Sequence, residues 1–401
     1  MKFKLSYFIL LVLPVLSIVV NAKIYWSLII LLLFFIIIEE KVFVLTKGYN
    51  LLLYLGIPLI WTSFFSFGDH FHYIIQTLFY LTTPLIFTFT GIQLSRVVGS
   101  LFLLKYIIYS GTIGAFIYIL ISFFNLGFHV FLNPYEMREI LPWGSITTVI
   151  TLVILFFSRK NGIELVDNIY RKIIIIINII GLYFTASRTY YLLFIIFIFI
   201  FLYKNNKKLF LLFGIVTTLM ISFILTSNLD NKIFSKIKSV GTETSMGDYG
   251  TQEEINTKYR GFETFMALKT YASGSSMNLI FGHGFEKQVD LGVEVMLGGE
   301  MRSVIPVLHN GYAYLLLKGG FLSLIFYFIF FIKVSKLKAS NYILNFNRKI
   351  ISGSILALIV SNFVIGTFFS VEMSILWIII GVFIGHVDKA SYLELPIKKG
   401  I

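Results

Sequence analysis

The sequence has no cysteine among its 401 residues and only seven prolines. Without cysteine there are no disulfides, no thiolate metal sites and no cysteine nucleophile. Charge is scarce too: Asp, Glu, Lys and Arg make up 13% of the chain, against about 25% in soluble domains. No alternating pattern of the kind a membrane barrel requires is present, no repeat relates the two halves, and no glycine-rich phosphate motif occurs. What fills the chain is apolar mass, 57% hydrophobic residues with a mean hydropathy of +0.87. Lipid offers no partners to unpaired backbone groups, so such a chain crosses a membrane as helices. The fold class expected is an all-α polytopic membrane protein.

Apolar runs at 4–20, 24–38, 50–67, 71–91, 100–124, 143–158, 173–186, 189–203, 208–226, 311–332, 350–369 and 372–386 predict about 12 transmembrane helices. The opening "MKFKLSYFILLVLPVLSIVVNAK" has the charge and core of a secretory signal, but a second apolar run begins at once at Ile24, and we read it as a retained first span. The 33 basic and 20 acidic residues give a net charge of +13, which by itself suggests nucleic acid. Placed along the chain, 21 basic residues fall in the loops that share a side with the N-terminus, among them Lys2, Lys4, Arg96, Arg159, Arg171, Lys207 and Arg348. That is the bias of cytoplasmic loops, so no nucleic-acid partner is expected and both termini are read as cytoplasmic.

Eight of the other basic residues, and ten of the acidic ones, lie in a single loop at 227–310. This divides the chain into an N-terminal membrane region (1–226), a large outer loop (227–310) and a C-terminal membrane region with a short tail (311–401). A loop this long is usually functional or disordered. Within it "EEINTKYRGFETFMALKTYA" reads as an amphipathic helix, with Ile255, Tyr259, Phe262 and Met266 on one stripe. The stretches "GTETSMGDYGTQ" and "LGVEVMLGGEMRS" read as turns.

A few polar residues stand out against this background. Arg188, in "TASRTYY", sits at the outer surface in a turn almost too tight for two helices; it either serves a site or snorkels to head groups. Arg260 lies about 140° from the apolar stripe of the loop helix, facing a cleft or solvent. His309 and Asn310 follow Pro306 and directly precede a span. Imidazole suits proton transfer near neutral pH, yet a histidine–asparagine pair there also suits a helix cap. Gly319, Gly320 and Ser323 permit close helix packing. Asp69, His70 and His72 make a poor metal site. Glu136, Arg138 and Glu139 form a lid or a solvated loop, Asp230 and Glu372 have no assignable partner, and Glu253 and Glu263 read as a solvated face paired with Lys258 or Lys269.

Three features occur in order: "SR" before a span, an outer loop holding "R…F…AL…LIFGHGF", and "HNGYAYLLLKGGFLSLIFY" opening the next span. In this the chain resembles the O-antigen polymerase and O-antigen ligase superfamily of bacterial envelope proteins, in motif over roughly 180–330 and in topology throughout. The resemblance implies a glycosyltransferase of the cytoplasmic membrane that needs no metal or other cofactor. Its donor is an undecaprenyl-diphosphate-linked glycan, and it works among membrane lipid beside a flippase and a chain-length regulator. Carried over, Arg188 and Arg260 bind the diphosphate, His309 is the acceptor base, Asn310 contacts substrate, and Gly282 and Gly284 shape the backbone. A polymerase extends glycans on lipid-linked repeat units, whereas a ligase transfers the polymer to lipid A-core or protein. An exporter or flippase would instead show pseudo-symmetry and charges within several spans.

Overall fold

In a computed structural model of the chain, the described residues are 15–16, 22–40, 48–66, 71–141, 144, 146–226, 239, 241–247, 249, 251–297, 300–339 and 341–393. The run 4–20 apart from Val15 and Leu16, the residues Asp69, His70 and Asp230, and the side chain of Glu139 lie outside that set.

Among the described residues, each apolar run from 24–38 onward coincides over most of its length with a helix. These are α1 (Ala22–Glu40), α2 (Tyr49–Phe64), α3 (Phe71–Val97), α4 (Ser100–Leu126), α5 (Ile146–Phe157), α6 (Asn168–Phe184), α7 (Arg188–Asn205) and α8 (Lys207–Thr226). The outer loop contributes α9 (Gln252–Thr257), α10 (Tyr259–Ala272), α11 (Ser276–Phe281) and the strands β1 (Val289–Leu297) and β2 (Glu300–Ile305). The chain then returns to α12 (Gly311–Ser335), α13 (Tyr342–Ile365) and α14 (Ser374–Leu393). Among the described residues, six helical segments are long and apolar enough to cross a membrane: 71–97, 100–131, 188–205, 311–335, 342–365 and 371–388. The protein is thus a helical, membrane-embedded chain.

The largest helix contact joins α3 to α14 along small residues. A Cβ on Gly91 would lie 2.2 Å from the Ile378 carbonyl oxygen, and one on Gly381 would lie 2.1 Å from that of Thr88. The backbones touch because nothing projects between them, the usual way helices associate where lipid is as apolar as the protein. Aromatic residues fill the space beside this seam, with Phe331 stacked on Trp377 at 5.6 Å and the Trp377 indole donating to the Phe368 carbonyl at 3.0 Å.

Two loop readings change. In "LGVEVMLGGEMRS" residues 291–297 and 300–303 are not turns but lie in the antiparallel strands β1 and β2, with a bulge between Asp290 and Val295 where Gly292 takes a φ of 68°. Val289, Leu291, Val295 and Ile305 bury one face of this hairpin. The amphipathic helix is two helices, α9 and α10, divided at Lys258. A Thr251–Glu254 capping box starts the first, and Ile255 and Phe262 carry the predicted stripe into the core.

Helix α12 breaks at Gly320, whose φ of 72° and ψ of −178° are open only to glycine. The break strands carbonyls, and the "FGHGF" turn satisfies them. His283 N–H donates to Leu317 O at 2.8 Å, Gly284 N–H to Lys318 O at 3.1 Å, and the Trp61 indole to Gly319 O at 3.0 Å. Gly282 and Gly284 take left-handed φ values of 86° and 88° in this turn. Gly320 is therefore a break in the helix and not simply a packing residue. A Cβ there would lie 2.3 Å from Ile280 O. Lys318, fully buried, ties the far side of the turn by donating to the carbonyls of Phe285 at 2.8 Å and of Lys287.

Candidate functional site

His309 and Asn310 lie at the N-terminal end of α12, where α10 packs across it. Asn310 is the cap: its side-chain oxygen accepts from Tyr312 N–H at 3.0 Å and Ala313 N–H at 3.1 Å. That commitment leaves only its amide nitrogen for a ligand. Gly311 follows because any side chain there would strike Asn362, with a Cβ 2.1 Å from Oδ1. The capping alternative is thus the role of Asn310's oxygen and not of the histidine.

The His309 imidazole is half exposed, and its partner is Glu263, which is 1% exposed. One Glu263 oxygen accepts the His309 backbone N–H, and the other lies 2.7 Å from Nδ1. Glu263 is accordingly no member of a solvated face and pairs with neither Lys258 nor Lys269. Tyr259 stands edge-on to the imidazole at 6.2 Å. Burial pushes the Tyr259 hydroxyl above its ordinary range, and the nearby Glu263 charge adds to this.

Arg260 is one α10 turn from Glu263 and joins two hollows. The first is a narrow crevice lined by Arg260, Thr264, His309, Asn310, Thr244 and Phe363. The second is an open cleft of about 450 Å³ lined by Arg260, Tyr259, Glu243, Ser239, Thr242 and Asn256. Burial lowers the Arg260 pKa, with Glu243 and Glu263 pulling upward and Arg188 and Arg138 downward. It stays a cation, since guanidinium does not lose its proton in proteins.

Arg188 opens α7 directly after a three-residue turn in which Ala186 adopts a left-handed φ of 43°. That conformation is rare for a residue with a Cβ, and it lets α6 and α7 meet within a turn as tight as the sequence suggested. The guanidinium forks around Glu243 at 3.3 and 3.1 Å, and Ser239 Oγ, 3.2 Å from Arg188, donates to the same carboxylate at 2.6 Å. Burial pushes the Glu243 carboxyl up. Hydrogen bonds from Arg188 and Ser239, with the charges of Arg188 and Arg260, outweigh this and hold it below the usual carboxylate range.

The sequence-predicted residues are therefore drawn together. His309, Asn310 and Arg260 share the crevice, and Arg188 is linked to Arg260 through Glu243. Arg138 is near enough for its charge to act on Arg260. Glu372, left without a partner by the sequence, accepts from the Tyr190 hydroxyl. The carboxylates Glu263 and Glu243 were missed as site members. The one local signal for Glu263 is its spacing three residues after Arg260, which puts both on one helix face. Chemically, the arrangement offers an imidazole held by a carboxylate beside the Arg260 guanidinium, with a second guanidinium, Arg188, paired to Glu243 beyond it. No family model and no curated protein sequence matches the chain.

Proposed function

We propose that the chain is a polymerase of lipid-linked glycans, joining undecaprenyl-diphosphate-linked repeat units of an O-antigen, capsule or exopolysaccharide. In this reading it crosses the bacterial cytoplasmic membrane about twelve times, with both termini in the cytoplasm and 227–310 outside. The observation that carries the reading is the shared crevice of His309 and Arg260, with Arg188 beyond it. His309 Nε2 takes the proton of the acceptor hydroxyl as its oxygen attacks the anomeric carbon. The carbon–oxygen bond to the diphosphate breaks, and the diphosphate leaves with the electron pair, inverting the anomeric centre. Arg260 and Arg188 match phosphate oxygens in pairs and stabilise the charge that grows on the leaving group, commonly the dominant catalytic contribution. Helix ends that meet a folded loop suit a donor whose tail is in lipid and whose sugars are in water.

Deleting the gene tests this. Loss of the glycan ladder with retention of one-repeat glycans supports the polymerase. Long lipid-linked polymer that never reaches an acceptor makes the protein a ligase. Unchanged glycans overturn both.

A further inference from the structure

We infer that Glu263 is a positioning residue that fixes which nitrogen of His309 is the base. The inference rests on the function proposed above only where activity is concerned, because its geometric content concerns one histidine and one carboxylate. Glu263 meets His309 twice, at the backbone N–H and at Nδ1. The backbone group is an obligatory donor, so the oxygen facing it must accept. A carboxylate only accepts, so the second oxygen requires Nδ1 to carry its hydrogen. Nδ1–H leaves Nε2 with a lone pair, and Nε2 is the nitrogen that the Glu263 contact leaves unoccupied on a half-exposed ring. The buried carboxylate thus holds the ring by two points and sets its tautomer, while the exposed edge stays available to a hydroxyl in the crevice.

The double contact makes an isosteric replacement more damaging than a deletion. In Glu263→Gln the amide oxygen stays with the His309 backbone N–H, because the amide NH₂ cannot. That turns the NH₂ toward Nδ1, which must then accept, and the hydrogen moves to Nε2. The shape is kept and the base is lost. In a serine protease the matching change of a buried Asp to Asn lowers turnover by about 10⁴ through the wrong tautomer. In Glu263→Ala nothing dictates the tautomer, and the ring samples both.

Two measurements test this at matched protein levels. With the full-length protein in detergent and ¹⁵N-labelled histidine, His309 (assigned by its loss in His309→Asn) is expected as the Nδ1–H tautomer in wild type and Nε2–H in Glu263→Gln. In cells carrying each variant as the only copy, glycan polymerisation is expected to fall on the order of 10³-fold or more in Glu263→Gln, and at least tenfold less severely in Glu263→Ala. Nε2–H already in the wild type, or a Gln variant as active as wild type while His309→Asn is inactive, overturns the inference. If His309→Asn itself leaves the glycan ladder intact, the proposed function fails, and the tautomer measurement still decides the positioning role.

Discussion

The α3–α14 seam and the crevice around Arg260 meet opposite demands. In the seam the useful property is the absence of a side chain: Gly91 and Gly381 let two backbones touch, and Gly385 accepts Ser95 so closely that a Cβ would lie 2.0 Å from its Oγ. In and beside the crevice the useful property is charge held in place, with His309 on Glu263 inside it and Arg188 forked on Glu243 beyond it. The first region tolerates almost nothing new. The second borders an open cleft of about 450 Å³ lined by Arg260, Tyr259 and Glu243, where something other than the protein can enter. A chain built this way should separate stability from activity, and substitutions in the two places are expected to divide accordingly.

The largest effect is expected at the seam. Gly381→Leu forces a branched side chain against the Thr88 carbonyl, with no flexible neighbour to give way. Overpacking of this kind costs about 3 kcal/mol or more, so the detergent-purified protein is expected to lose its monodisperse peak in size exclusion. A wild-type elution profile and melting midpoint would remove the seam from the comparison. Next comes Arg260→Ala, which is expected to leave the melting midpoint in place and to lower glycan polymerisation on the order of 10²–10³-fold, the usual loss when a charge-stabilising donor is removed. A variant that melts early yet polymerises normally would make Arg260 a structural residue and erase the contrast.

How far each region could be read from sequence follows from the range of its contacts. Helix positions are set by local hydropathy, and the runs at 100–124 and 311–332 became α4 and α12 nearly unchanged. Arg188, Arg260 and His309 stood out because a charge or imidazole is conspicuous where 57% of residues are hydrophobic. Their partners did not stand out. Glu263 lies 46 residues from His309, and Glu243 lies 55 from Arg188. In an acid-rich loop nothing local distinguishes a buried carboxylate from a solvated one. The hairpin was obscured for a related reason: its glycines read as turns, although Gly292 sits inside a strand at a bulge. The break at Gly320 was invisible because a glycine in an apolar run also fits close packing, and only the docking of "FGHGF" distinguishes the two.

That break belongs to neither region, being set against the 280–284 turn, and Gly320→Ala tests it separately. An alanine must adopt a φ of 72° with ψ near 180° and place its Cβ 2.3 Å from Ile280 O. Strain at such a position costs about 1–3 kcal/mol before any clash. The variant is expected to melt measurably earlier in detergent and to be cut faster by protease between Gly282 and His309, because the turn no longer docks on α12. Unchanged protease resistance would mean that the turn is held by other contacts.

The smallest and most informative effect is expected at Glu243. Its carboxylate occupies the Arg188 fork that the proposed mechanism assigns to a phosphate. Because its pKa is depressed, its contribution to stability is present above its unfolded value and is lost only as the pH falls through the lower folded value. Acid therefore does not open the fork near neutral pH, and a competing anion with more charge has to. Glu243→Gln keeps the shape and removes that competition. Bound inorganic pyrophosphate, measured by calorimetry on the detergent-purified protein, is expected to tighten several-fold, with a change in melting midpoint within the range of a part-exposed ion pair, at most about 1 kcal/mol. Weaker pyrophosphate binding would show that Glu243 orients Arg188 for the ligand instead of standing in its place. Arg188 would then resemble His309, a side chain aimed by a carboxylate distant in sequence, and one rule would hold inside the crevice and beyond it.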